Sequence, residues 1–299
     1  MFARTPVEKL TLTTRLKARV FSFSGASGEI IAEFRGLRLC VPANDVIMAP
    51  GLVGGYYEKI ELDVFGQLAT VSQTIIDVGG NVGIYCCLAA RQAPATSKIV
   101  TFEPVPENVR YLRRNLDENG QTARVAVEQQ AVGVTSGSIE LYLLEGSTCK
   151  HSAAAQNALN STTFITVPAV SLDAYSRRQL QDRQVELLKV DVEGYEGAVL
   201  RGARKVLQED KPTLFIEFVP DNLANCGFAP DEFLDLLFDA YDHVYLVDEP
   251  RAAFRLCSRP DLQRYSTRRV ANANLIATSE SSRPAHYQVI ERARAALRN

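Results

Sequence analysis

The run TIIDVGGNVG, residues 74–83, carries an apolar, β-branched stretch into a carboxylate, Asp77, and then into a turn holding Gly79, Gly80, Asn81 and Gly83. Glycine at 79 and 83 lets the backbone bend sharply and pass close to a ligand. The amides of Asn81 to Gly83 open a helix, whose N-terminus favours negative charge. A ligand with both an ammonium and a carboxylate would satisfy Asp77 and these amides together. A pyrophosphate would satisfy only the amides and be repelled by the acid. A second apolar stretch, KIVTFEP at 98–104, ends in Glu103 and Pro104. A carboxylate there can take both hydroxyls of a ribose.

An amino-acid head group joined to a ribose describes S-adenosylmethionine (SAM). The dinucleotide alternative is tested by spacing. A G-x-G-x-x-G run counted from Gly79 needs glycine at 81 and 84, where Asn81 and Ile84 stand. An NAD-dependent sugar epimerase or dehydrogenase also wants a Tyr-x-x-x-Lys pair on a helix, and no well-placed example occurs. A structural alternative keeps the glycines for a tight turn only, on a non-catalytic scaffold. The intact Asp77, Glu103 and Asp191 speak against it.

These residues need strands that end together. The pattern supplies buried strands at 74–80, 98–104, 124–133, 185–194 and 212–218, with helical spacing at 82–92, 106–120, 195–208 and 230–241. Strands alternating with helices predict a doubly wound, mostly parallel α/β sheet of the Rossmann-like kind. Strands at 243–249 and 274–279 lie close in sequence and are expected as an antiparallel hairpin on one edge, before a closing tail helix. Residues 138–145 and 164–172 read as exposed strands around a small polar insert, 146–163, which is either a lid or an inert surface loop. An alternating run at 18–42 reads as β-hairpins, and 54–72 as a helix. The expected division is a β-rich extension over 1–53 and a catalytic domain over 54–299.

Composition narrows the partners. Lys+Arg number 33 against Asp+Glu 35, so no basic field exists to hold nucleic acid or an anionic membrane. The basic runs at 110–114 and 264–269 read as solvated faces. No window reaches the roughly 20 apolar residues of a membrane helix. The six cysteines, Cys40, Cys86, Cys87, Cys149, Cys226 and Cys257, lack C-x-x-C spacing, which fits a reducing cytoplasm rather than a disulfide or zinc framework. A homo-oligomer is compatible with all of this.

IIDVGGNVG (75–83), VTFEPVPENVRYLRRN (100–115), QQAVG (129–133), VPAVSLD (167–173), LLKVDVEGYEGAVLRGA (187–203) and KPTLFIEF (211–218) occur in unbroken order. On these motifs the chain resembles the FkbM-type family of SAM-dependent methyltransferases, most specifically in K-x-D-V-E-G-x-E. The resemblance implies a seven-stranded sheet whose last strand is antiparallel. It implies O-methylation of a hydroxyl on a sugar or on a glycosylated or polyketide-type product. By position it sets Asp77, Gly79, Gly80, Asn81, Gly83, Glu103, Pro104, Asn108, Gln130 and Ala131 around the cofactor, with Glu103 at the ribose and Gln130 and Ala131 beside the adenine. Gly80 departs from the alanine more usual in the family, a change expected to be harmless. Tyr56, Tyr57 and Glu58 are expected to cap the pocket, with ordinary aromatic packing as the alternative.

A sugar hydroxyl is weakly acidic and gains from a base that takes its proton as the new bond forms. Asp191 ends a strand beside the cofactor strand and is the expected base. Glu193 and Glu217 are expected to orient the substrate or, with Asp191, a divalent cation. A helix N-terminal role for Glu193 and a structural role for Glu217 are the alternatives, and Lys189 is expected to pair with one of these acids. His151 would reach an acceptor if its loop closes, while a solvated loop histidine is the simpler reading. His243 and His286 read as strand-edge and tail residues. The place where amine-methylating relatives carry an Asn/Asp-Pro-Pro run reads DVEG here, which favours oxygen as the nucleophile.

Overall fold

A computed structural model describes residues 28–181, 183–251, 253–267 and 273–297. The first ten residues of the alternating run at 18–42 lie outside this range. From residue 28 on, the run forms a hairpin of β1 (Glu29–Phe34) and β2 (Leu37–Pro42), followed by a helix, Met48–Gly54.

Helix Lys59–Ala69 leads into β3 (Thr74–Val78), helix Ile84–Gln92, β4 (Lys98–Phe102), helix Pro106–Glu118 and β5 (Val125–Glu128). Next come three short strands, β6 (Ala131–Val132), β7 (Gly137–Tyr142) and β8 (Phe164–Val170), then β9 (Leu187–Val190), helix Glu196–Gly202 and β10 (Thr213–Phe218). Helix Pro230–Ala240, β11 (His243–Asp248), β12 (Ala253–Leu256), helix Arg259–Ser266, β13 (Ala273–Thr278) and helix Pro284–Ala296 complete the chain.

The main sheet runs β12-β11-β13-β10-β9-β3-β4-β5. Strands β5, β4, β3, β9 and β10 are mutually parallel, and β13 is antiparallel to both of its neighbours. Seven strands are those expected, and β12 adds an eighth on the edge. The two strands expected to pair antiparallel do so as β11 and β13, but not as a hairpin on the sheet edge, which β12 occupies. The intervening β12 and helix Arg259–Ser266 give the chain length to insert β13 between β10 and β11. The single third strand expected over 124–133 is also corrected. A tight turn with Gln130 N–H bonded to Glu128 O sends Ala131–Val132 into a separate small sheet, ordered β6-β8-β7.

Side-chain alternation divides the core between the two faces of the main sheet. Ile75, Ile99, Leu187, Phe215 and Ile276 pack on one face against Phe65, Leu68, Leu88 and Val289. Ile76, Val100, Leu188, Leu214 and Ile216 pack on the other against Val199, Leu200, Phe233 and Leu237. Each such side chain contributes about 1.5–3 kcal/mol on burial. Strands covered on both faces read as continuous apolar runs. In β3 (TIIDV) and β9 (LLKV) every residue is buried, so Asp77 and Lys189 are charges held inside the core.

Candidate active site

Register places the charged residues in rows. Thr101, Asp77, Lys189 and Phe215 are successive cross-strand partners on β4, β3, β9 and β10. Two residues further along each chain, at the carboxyl ends, stand Glu103, Gly79, Asp191 and Glu217, with Asn274 of β13 opposite Glu217. Strand order reverses between β3 and β9, the place where open α/β sheets bind ligands.

Asp77 is 1% exposed. Its Oδ2 accepts the Thr101 hydroxyl at 3.2 Å, and its Oδ1 meets no hydrogen-bond partner among the described residues. Lys189 Nζ lies 3.9 Å from Asp77 Oδ1 and 3.2 Å from Asp191 Oδ2, over the face of the Tyr85 ring. Burial pushes the Asp77 carboxyl up against the pull of Lys189. Burial also works against the Lys189 charge, but Asp191, Asp77 and Glu58 outweigh it and hold the ammonium above its ordinary range. A buried carboxylate with one oxygen free suits a cationic group better than water does.

The turn after β3 requires its glycines. At Gly79, φ is +86°, and a Cβ would lie 1.9 Å from the Asp191 carbonyl oxygen. At Gly80, a Cβ would lie 2.2 Å from Thr101 Oγ1. Alanine is therefore excluded at 80 while Thr101 keeps its hydroxyl there, which gives the departure from the family pattern a physical cause. Gly83, at φ +92°, starts helix Ile84–Gln92. Asn81 N–H donates to Glu103 Oε2 at 2.7 Å, and Val105 N–H donates to Glu103 Oε1 at 2.9 Å. Glu103 thus closes the turn with one lone pair per oxygen spent, and burial pushes its carboxyl up to about 7.

The polar insert 146–163 lies across this turn. Asn81 Nδ2 donates to Cys149 Sγ at 3.2 Å, and Asn108 Nδ2 donates to the Thr148 carbonyl at 2.9 Å. Thr148 donates through both N–H and hydroxyl to Asp45 Oδ2, at 2.7 and 2.8 Å. Lys150 reaches both Glu193 oxygens, at 2.7 and 2.8 Å. The insert is therefore tied to the strand ends by side chains from four separate segments. His151 belongs to that scaffold. Its Nδ1 accepts Leu144 N–H at 3.1 Å, and burial lowers its basicity.

Two hollows open at the strand ends. One is lined by Val78, Gly79, Phe102, Pro104, Gln130, Ala131, Leu141 and Tyr195. Its apolar walls suit a flat aromatic ring, and the small sheet β6-β8-β7 closes it. The other is lined by Glu58, Glu61, Tyr85, Lys189, Asp191 and Glu217. Glu58 accepts the Tyr85 hydroxyl at 2.6 Å, and burial together with Asp191 pushes its carboxyl up to about 7. Burial first, then Glu58, Cys149 and Asp191, push the Tyr57 hydroxyl well above its ordinary range.

Of the three expected acids, Asp191 and Glu217 come together, and Glu196 rather than Glu193 completes the group. Oxygens of Asp191, Glu196 and Glu217 lie within 4.8 Å of one another. Such a set suits a hard divalent cation in type. However, the Lys189 ammonium already sits on Asp191, and Glu196 Oε1 is spent on the Val192 and Gly194 N–H groups. The donors are thus partly committed, and no chemical step is assigned to a metal here. Glu193, at φ +51°, turns to Lys150 instead.

Glu61, Glu196, Asn274, Thr101 and Cys149 reach the site without having been singled out for it by the sequence. Glu61 had a local signal, an acid one helical turn from buried Phe65 on the apolar stripe of its helix. Asn274 is a polar residue near the start of an otherwise mostly apolar strand. Thr101 and Cys149 carry no local signal, since their roles arise only from register and loop closure.

The fold and site define a doubly wound α/β protein with an apolar hollow at its topological switch point and an acid-rich second hollow beside it. Residues 77–246 match the Methyltransferase FkbM domain, and the chain belongs to that methyltransferase family. Methyltransferase 1 of Beauveria bassiana (strain ARSEF 2860) is 28% identical over 144 residues, covering 43% of this chain and 57% of that protein, so the match spans little over half of the relative. Among solved structures, methyltransferase FkbM from Methylobacillus flagellatus KT is 14% identical, with TM-score 0.42, over 89% of this chain and 59% of that one. A putative O-methyltransferase from Klebsiella pneumoniae is 12% identical, with TM-score 0.43, over 93% and 92%. Among the described residues, no helix is long and apolar enough to cross a membrane.

Proposed function

We propose that this chain is a SAM-dependent O-methyltransferase acting on a hydroxyl of a sugar or of a glycosylated or polyketide-type acceptor. The observation that carries the reading is the buried Asp77 Oδ1, which meets no hydrogen-bond partner among the described residues, just before the glycine turn Gly79–Gly83, with Glu103 at the end of the adjoining strand. Asp77 would face the ammonium of SAM, Glu103 its ribose, and the apolar hollow its adenine. When bound, SAM supplies an activated methyl on a positively charged sulfur.

The protein's part is alignment and proton removal. Asp191 is the base in this reading. Its side chain is 32% exposed, whereas those of Asp77 and Lys189 are 1% and 7% exposed, so Asp191 is the member of the charged network open to an acceptor. Lys189 fixes the Asp191 carboxylate by a hydrogen bond to Oδ2, which leaves Oδ1 for the hydroxyl proton. Tyr57 and Glu58 form the acceptor wall on the side of helix Lys59–Ala69.

The test is a labelled-methyl transfer screen over nucleotide sugars, glycolipids and glycosylated metabolites, with and without EDTA. Label in an alkali-stable ether on a hydroxyl-bearing acceptor is expected. Label on nitrogen alone, or in none of these classes, contradicts the reading.

A further inference from the structure

The acceptor hollow holds more carboxylate than its own cations neutralise. Glu58, Glu61, Asp191 and Glu217 line it, and Lys189 is the one cation among its lining residues. Lys189 is already shared between Asp191 and Asp77. The nearby Lys150 is held by both oxygens of Glu193. SAM would bring one net positive charge, on the β3 side of the cleft.

The unmet charge is concentrated at the opposite end. Glu61 is 2% exposed, its Oε1 accepts Asn274 Nδ2 at 2.7 Å, and its Oε2 meets no donor among the described residues, the Glu249 carboxyl being its acidic neighbour. Glu217 Oε2 is also buried, without a partner among the described residues. Asn274 is the cross-strand partner of Glu217, so the amide that holds Glu61 stands next to Glu217. Glu249, with its Oε1 spent on Ile60 N–H, adds a further acid behind Glu61. Burial first, and Glu249 and Glu58 next, push the Glu61 carboxyl well above its ordinary range. Burial and then Glu193, Asp191 and Glu196 do the same to Glu217, with Lys150 opposing. Two enclosed carboxyls with free oxygens either hold protons or receive a cation.

We propose that Glu61 and Glu217, braced by Asn274, anchor a protonated amine on the acceptor, so that the substrate class is an amino-bearing polyol such as an amino sugar. The inference rests on the methyl-transfer reading above. An ammonium offers three donors to the two free oxygens, whereas a neutral hydroxyl offers one and leaves both charges in place. Glu217 lies in β10 and Asp191 just beyond β9, on adjacent strands, and a carboxylate oxygen of each lies within 4.8 Å of the other. That is about the distance between a hydroxyl and an amine across one six-membered ring. The amine held there keeps its protons and is no nucleophile, so the hydroxyl at Asp191 takes the methyl.

The test is calorimetric binding of D-glucosamine, N-acetyl-D-glucosamine and D-glucose to the full chain preloaded with S-adenosylhomocysteine, in EDTA at pH 7. Glucosamine is expected to bind at least 10-fold tighter than the other two. Glu61→Gln and Glu217→Gln are each expected to erase that preference while leaving S-adenosylhomocysteine affinity within twofold. Equal binding, no binding of any of the three, or a preference that survives both variants overturns the proposal. So does Mg²⁺, replacing EDTA, if it displaces glucosamine in a manner lost in Glu61→Gln, since the corner is then a metal site. Failure to bind S-adenosylhomocysteine would overturn the methyltransferase reading itself, whereas normal binding without sugar preference overturns the amine anchor alone.

Discussion

Lys189 Nζ donates to Asp191 Oδ2 at 3.2 Å from within a strand that is otherwise apolar. The same ammonium faces buried Asp77 one strand away. It therefore links the cofactor side of the cleft to the proposed base. Lys189→Met leaves Asp77 buried without its counter-ion, and breaking such a pair costs about 3–5 kcal/mol. Urea unfolding at pH 8 should show that loss, with a smaller loss at pH 5, where Asp77 can take up a proton. Stability unchanged at both pH values would mean that Lys189 is not the counter-ion of this network.

Asp191→Asn keeps the shape of the side chain and a partner for Lys189 while removing the proton acceptor. Turnover should fall by about 10²–10⁴, with SAM affinity within a few-fold of wild type by calorimetry. Normal turnover rejects Asp191 as the base.

Gly80 and Thr101 are predicted to be coupled. A methyl at 80 meets Thr101 Oγ1 at 2.2 Å, so Gly80→Ala should destabilise the chain by about 1–3 kcal/mol through overpacking. Thr101→Ala removes the obstacle and one donor to Asp77. The double variant should be more stable than the sum of the two single changes allows. A double-mutant cycle by thermal or urea unfolding measures this, and strict additivity would contradict the contact.

How much of this was legible follows from where each signal resides. Asp77, Gly79, Gly83 and Lys189 break the apolar pattern of their own strands or turns, so local sequence marks them. Glu61 and Asn274 meet across 213 positions of sequence, and no local pattern encodes that contact. Glu193 and Glu196 are both acids just beyond β9. The left-handed backbone at Glu193 sends its side chain to Lys150 and leaves the cluster to Glu196. Strand existence followed from periodicity, but the insertion of β13 between β10 and β11 is a long-range choice that the two segments alone do not reveal.

Stability without ligand should fall as pH rises from about 5 to about 7.5. Burial raises Glu58, Glu103 and Glu196 to about 7 from an ordinary 4.5. The folded state therefore binds protons more tightly, and the stability present below 4.5 is lost as pH rises through 7. Each group changes stability by up to about 1.4 kcal/mol per pH unit across that window. His286, pushed by burial down to about 4 from 6.5, and His151, also lowered by burial, have the opposite sign, and they are two groups against these three. Tm measured at fixed ionic strength should decline across this range, and added SAM should offset part of the decline. A Tm that rises steadily to pH 7.5 would contradict the assignment of buried, unneutralised acids at the site.

The most direct measurement is isothermal titration of the full chain with SAM and, separately, with NAD. SAM is expected to give saturable heat with one site per chain, weakened at least 10-fold by Asp77→Asn and by Gly79→Ala, with no heat from NAD. Saturable heat from NAD and none from SAM would contradict the account.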